Sequence, residues 1–238
     1  MTVSECITER AAKMGINISA EKAAKFERYH DMLVSANEKM NLTRVSEDII
    51  DSIDRNYLDS IAPVALDHFL NAKTIADIGA GAGFPSVPLA IMLDDTHITM
   101  LDALGKRVEF LNDVCESLKL NAHAVHIRAE DAGRKSDLRG AFDIVTARAV
   151  SSLNILAEYA LPLLKTGGYF IAYKGPKWKE ELENADNALE ILGGAFIEAV
   201  PMDIPERDWE HVIVIIQKTK ETPEKYPRRT GVPEKKPL

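Results

Sequence analysis

Apolar side chains recur at three- and four-residue steps through "SAEKAAKFERYHDMLVSANEKM", at Ala23, Phe26, Leu33 and Met40. This spacing predicts one helix with a single buried stripe. Ser19 is placed to cap it, with Glu21 in its first turn. A second helical pattern, "SEDIIDSIDRNYLDSI", starts with Ser46 in the capping position. Residues 1–72 contain no strand pattern and read as a helical unit.

The period changes at Lys73. The short runs "TIADIG", "HITMLD", "AHAVHI", "FDIVTAR" and "GYFIAYK" now alternate with helical stretches. Such alternation predicts an α/β fold, a parallel sheet wound with helices on both faces through right-handed crossovers. Two further runs, "AFIEAVPMDI" and "HVIVIIQK", have no helix pattern between them and predict an antiparallel hairpin. This second unit spans residues 73–218. Residues 219–238 carry "TPEKYPRRTGVPEKKPL", rich in proline and charge, and read as an extended basic tail.

Composition sets the class. The chain has 238 residues, 46% hydrophobic and 28% charged, the balance of an ordinary globular protein. No apolar run approaches a bilayer span, and the first residues lack a signal core, so a cytoplasmic protein with no membrane partner is expected. Cys6 and Cys115 make neither a disulfide framework nor a metal-ligand spacing, and no metal is expected. The net charge of −8 speaks against nucleic acid, yet it is unevenly spread. Residues 218–238 carry +4 and the remainder −12, which leaves an anionic partner open.

The candidate chemistry starts at "ADIGAGAGFPSVPLA", where Gly79, Gly81 and Gly83 follow the first strand. A dinucleotide fingerprint would place its third glycine at 84, and this chain has Phe84 there. Ligands in open α/β sheets sit beyond the carboxyl ends of the strands. Asp102 ends the second strand, 21 residues after Gly81, where a carboxylate can accept from both hydroxyls of a ribose. A tight strand-to-helix turn and a solvated strand-end acid are the plainer readings of the same residues. Ala129 and Glu130 follow the third strand, Arg148 the fourth and Lys174 the fifth. Glu130 equally suits a helix N-terminus, and Arg148 an ion pair. No P-loop, zinc cluster or G-x-S-x-G elbow is present. What remains is a nucleoside-containing cofactor and catalysis by positioning. A nicotinamide-dependent oxidoreductase and a non-catalytic RNA-binding module using the basic tail remain the other classes.

The stretches "ADIGAGAGFPSVPLAI", "MLDALGKRVEFL", "FDIVTARAVSSL" and "LPLLKTGGYFIAYKG", with "MNLTRV" and "YLDSI" before them, resemble the small-subunit ribosomal RNA methyltransferase G family. That family was formerly called glucose-inhibited division protein B. The resemblance runs from about residue 35 to the tail. It implies S-adenosylmethionine as cofactor and N7 of a guanine in small-subunit (16S) ribosomal RNA, free or in the assembled particle, as target. It also implies a seven-stranded, doubly wound methyltransferase sheet, its last hairpin antiparallel, behind an N-terminal helical cap, in a monomeric protein. Carried over, Gly79, Gly81, Phe84, Asp102, Ala103, Leu104, Ala129, Glu130 and Arg148 line the cofactor site, with Arg148 at the reacting atoms. Asn41, Lys174, Arg228 and Arg229 are the implied RNA contacts. Asn56 departs from the family, which often has His before the "xLDS" segment. Guanine N7 carries a free lone pair, so this chemistry needs no general base.

Overall fold

The strand-forming residues sort onto two faces with period two, and that sorting builds the molecule. Ile75, Ile144, Ile171, Ile213 and Ile215 point to one side of the sheet, and Ala76, Val145, Phe170, Val214 and Ile216 to the other. The computed structural model describes residues 1–40 (the side chain of 39 excepted), 42–43, 46 and 48–238. Its strands are β1 (Thr74–Ile78), β2 (His97–Asp102), β3 (Ala122–His126), β4 (Phe142–Arg148), β5 (Leu164–Lys174), β6 (Gly194–Pro201) and β7 (Val212–Lys218). They form one seven-stranded sheet in the order β3-β2-β1-β4-β5-β7-β6. β1 to β5 pair in parallel, and β7 lies antiparallel between β5 and β6.

Two helical layers cover the faces. α1 (Val3–Lys13), α2 (Ala20–Met40), α6 (Ser86–Met92) and α7 (Gly105–Leu118) bury Ile7, Phe26, Val87 and Leu111 against the first face. α8 (Ala129–Ala132), α9 (Leu153–Ala160), α10 (Trp178–Glu183) and α11 (Asp186–Leu192) cover the second through residues such as Leu153, Leu156 and Leu189. The N-terminal helices therefore share a core with the sheet.

On the first face, the chain from 49 to 70 passes through α3 (Ile49–Ser52), a π-helical stretch (Ile53–Leu58), α4 (Asp59–Ile61) and α5 (Asp67–Leu70). Ser19 caps α2, accepting from the Lys22 N–H at 3.3 Å. Ser46 does not cap α3. Asp48 does, its carboxylate accepting from the Ile50 N–H at 2.9 Å, while Ser46 accepts from Asp48. An ionised acceptor nearer the helix outcompetes the hydroxyl. The π-helical turn carries Asp54 into the core, where Arg10 Nη2 donates at 2.8 Å and Arg207 Nε at 2.7 Å. Asp54 thus staples α1, the turn and the approach to β7.

The segment after β7 is not the extended tail that its composition suggests. It folds back across the second face. Arg139 donates to the carbonyls of Thr222 and Tyr226, at 2.7 Å each, and Tyr226 is buried. The segment ends in α12 (Val232–Lys235). Composition undervalues it because a few directed hydrogen bonds to an arginine fork replace the missing apolar area.

Candidate active site

β1 delivers residues 79–85 to the carboxyl edge of the sheet, where β1 and β4 stand side by side and their connections diverge. This is the crevice that such sheets use for ligands. The N–H groups of Gly79 and Ala80 donate to the Leu101 carbonyl at 2.8 and 3.1 Å, which hangs the turn on the end of β2. Gly83 has φ +107°, and a Cβ there would stand 2.6 Å from Val87 Cγ2 and 2.8 Å from the Tyr29 hydroxyl. That hydroxyl donates to the Ala82 carbonyl at 2.7 Å, so α2 braces the turn from behind. Phe84 is buried between Tyr29 and Tyr57, with ring centroids 5.5 and 5.4 Å away. It joins the helical layer to the turn, a task that glycine has no side chain to perform.

Asp102 is buried at the end of β2. Its Oδ2 accepts from the Gly81 N–H at 2.9 Å and its Oδ1 from the Leu104 N–H at 2.8 Å. The carboxylate fixes two turns, and each oxygen retains a further acceptor site. Gly79, Asp102, Ala103, Ala129, Glu130 and Val150 line a pocket here. Leu104 stands exposed just beyond Ala103.

Beneath the turn lies Asp77, two residues before Gly79 and fully buried. Thr146 Oγ1 donates to its Oδ1 at 2.8 Å. Its Oδ2 and the Ser86 hydroxyl face each other outside good hydrogen-bond geometry. Burial pushes the Asp77 carboxyl up to about 6, with Ser86 close enough to hold it down in part. Burying a carboxylate in an apolar strand is costly, and such groups recur at functional sites.

Arg148 ends β4. Its Nη1 donates to Asp59 Oδ2 at 2.8 Å and to the Arg55 carbonyl at 3.0 Å, and its guanidinium lies 5.3 Å from the centre of the Phe84 ring. Asp59 Oδ1 stands 2.8 Å from His211 Nδ1. A second cavity, about 320 Å³, is lined by Arg55, Asp59, Arg148, Tyr173, Lys174 and His211. Arg148 and Ala149 face this cavity and Val150 the first, so three consecutive residues separate the two.

The remaining expected RNA residues fall into different settings. Lys174 is held by the Ser151 carbonyl at 2.8 Å and Glu181 at 2.7 Å. Arg228 is forked onto Glu158, and Arg229 is exposed. Asn41 lies outside the described residues. Asn56 is buried in the π-helical turn. Sequence reasoning missed Asp77, Asp59 and His211. Asp77 had a signal, an acid inside an otherwise apolar buried strand.

The sequence profile described as rRNA small subunit methyltransferase G matches residues 22–207, most of the chain. The chain belongs to the rRNA small subunit methyltransferase G family. Curated relatives called ribosomal RNA small subunit methyltransferase G include that of Lactobacillus johnsonii, 43% identical over 98% of this chain and 99% of its own. That of Staphylococcus saprophyticus is 44% identical over 98% and 97%. The Clostridium botulinum strain Alaska E43 relative, 43% identical, covers all of both chains, the segment after β7 included. Among solved structures, M. jannaschii TYW2 in complex with AdoMet shares the fold at 17% identity and TM-score 0.51, over 67% of this chain and 76% of that one. The Thermus thermophilus branched-chain polyamine synthase mutein, in complex with N4-aminopropylspermidine and 5′-methylthioadenosine, shares it at 14% and TM-score 0.56, over 82% and 64%. The chain thus sets its glycine turn on a fold that these solved structures share. No group of acidic, histidine or cysteine side chains among the described residues is arranged to hold a metal. No helix among them is long and apolar enough to cross a membrane.

Proposed function

We propose that this chain transfers the methyl group of S-adenosylmethionine to N7 of a guanine in small-subunit ribosomal RNA, in the cytoplasm. Beyond family membership, the observation that carries this reading is the pair of cavities divided by Arg148, Ala149 and Val150. One suits a cofactor and the other an acceptor base.

The residues present fit the cofactor. The buried Asp77 carboxylate beneath the glycine turn places negative charge where a ligand ammonium group would sit. Asp102 retains acceptor sites for ribose hydroxyls, and Ala129 and Glu130 border the adenine end. The bound cofactor supplies a methyl group on positively charged sulfur, already activated for displacement. The protein's own task is alignment, which contributes several kcal/mol of barrier lowering. Arg148 has its Nη1 committed to the helical layer and offers its other N–H groups to an oxygen of the acceptor base. It does not donate to N7, because that lone pair must attack.

Since no proton leaves before attack, the transfer step needs no base. Single-turnover methyl transfer to a small-subunit particle, saturated in both reactants, is expected to be flat over roughly pH 7–9. A tenfold rise per pH unit would instead point to an amine or hydroxyl acceptor. The reading excludes a nicotinamide cofactor: calorimetry is expected to show binding of S-adenosylhomocysteine and none of NADH.

A further inference from the structure

The pocket bordered by Gly79, Asp102 and Glu130 is completed by residues from the far end of the chain. Gly231 and Glu234 line it alongside them. The Gly231 N–H donates to Glu130 Oε1 at 2.9 Å, across 101 residues of sequence. Glu130 is itself buried, and this amide, with the Tyr159 hydroxyl beside it, positions its carboxylate.

The contact is not a loose crossing. Arg139 donates to the Thr222 and Tyr226 carbonyls, and Pro227 packs on Gly133, where a Cβ would stand 2.8 Å from the proline Cγ. Glu158 is 1% exposed and accepts from the Arg228 backbone N–H at 2.7 Å and from its Nε at 2.9 Å. A buried carboxylate with no cation beside it would be strongly destabilising, so Glu158 requires the segment to be docked. Tyr159 follows Glu158 and also lines the pocket, so one helix carries both the latch and part of the wall.

We propose that residues 226–235 are a wall of the cofactor pocket, with Gly231 a positioning residue that holds Glu130 at the adenine end. This rests on the reading that the pocket takes S-adenosylmethionine. It gives the segment a role beside the RNA contacts that the resemblance implies at Arg228 and Arg229.

The test is calorimetry on the full chain, on a chain ending at Thr230 and on Gly231→Pro, with S-adenosylhomocysteine and 5′-methylthioadenosine as ligands. Both variants keep Tyr226 and Arg228, and Gly231→Pro removes the amide together with the turn, since proline cannot take the φ of +77° found there. Losing an amide to a buried carboxylate is expected to weaken both ligands by the same factor, roughly ten- to hundredfold. Steady-state KM for S-adenosylmethionine is expected to rise with kcat retained. Unchanged affinity in well-folded variants overturns the proposal. No binding by the full chain overturns the cofactor reading beneath it, which keeps the two failures apart. If the variants fold poorly, hydrogen exchange on the unaltered protein decides. S-adenosylhomocysteine is expected to slow the amides of residues 229–234 along with those of 79–84. Slowing at 79–84 alone counts against the wall.

Discussion

Arg148 and Asp59 form an ion pair at 2.8 Å that ties the end of β4 to the helical layer. Both are largely buried, and Asp59 shares its second oxygen with His211. With the Arg55 carbonyl, the pair makes the helical layer part of the site by holding Arg148 over Phe84.

Asp59→Ala is therefore expected to lower stability toward the lower end of the roughly 3–5 kcal/mol seen when one partner of a buried pair is removed. Methyl transfer is expected to fall more than tenfold, with S-adenosylhomocysteine affinity within about threefold of the parent. Urea denaturation and single-turnover rates measure the two effects. A variant of unchanged rate would detach this pair from the reaction.

Read plainly as a solvated strand-end acid, Asp102 would be dispensable to the fold. Its burial and its two backbone amides change that. Asp102→Ala leaves the Gly81 and Leu104 N–H groups without their acceptor, a cost of about 1–3 kcal/mol each. S-adenosylhomocysteine affinity is expected to fall at least tenfold. Asp102→Asn restores one acceptor, so it is expected to recover stability before it recovers binding. Thermal melts and calorimetry on both variants separate the roles.

Asp77 gives a pH signature. Its carboxyl titrates near 6 in the fold against an ordinary value of 3.8, so the folded state binds the extra proton between those values. Its contribution to stability therefore falls as pH rises from about 4 to about 6 and is constant above. The difference between parent and Asp77→Asn is expected to grow across that window to on the order of 3 kcal/mol, with the variant the more stable at neutral pH. The same variant is expected to bind S-adenosylmethionine much more weakly. A stable variant with full affinity would remove Asp77 from the site.

Gly83→Ala tests the bracing of the turn. The new Cβ would collide with Val87 and the Tyr29 hydroxyl at a backbone conformation that favours glycine. A loss of at least about 1–3 kcal/mol is expected. Tyr29→Phe combined with it is expected to recover part of that loss, measured by denaturation of the single and double variants.

The sheet was legible because its strands carry their own period. The runs at "TIADIG" and "FDIVTAR" alternate between two buried faces, so their spacing declares them. The glycine turn and Asp102 were legible for a related reason, since strand ends are where open sheets bind ligands. Asp59 was not, because its role depends on a π-helical turn and on meeting Arg148 across 89 residues. Nor was the docking of Arg228, where an exposed-looking cation meets Glu158, one of two polar residues in an otherwise apolar helix. Local pattern records period and turn chemistry. It does not record which distant charge a buried acid will meet.

The bond between Gly231 and Glu130 also orders events in time. Every strand precedes residues 226–235 in the chain, and synthesis runs in that direction. A growing chain can begin its sheet as it emerges, yet Glu158 has no cation, and the pocket beside Glu130 no closing wall, while that segment is still unmade. On the proposed reading, capture of S-adenosylmethionine then becomes a late act of biogenesis.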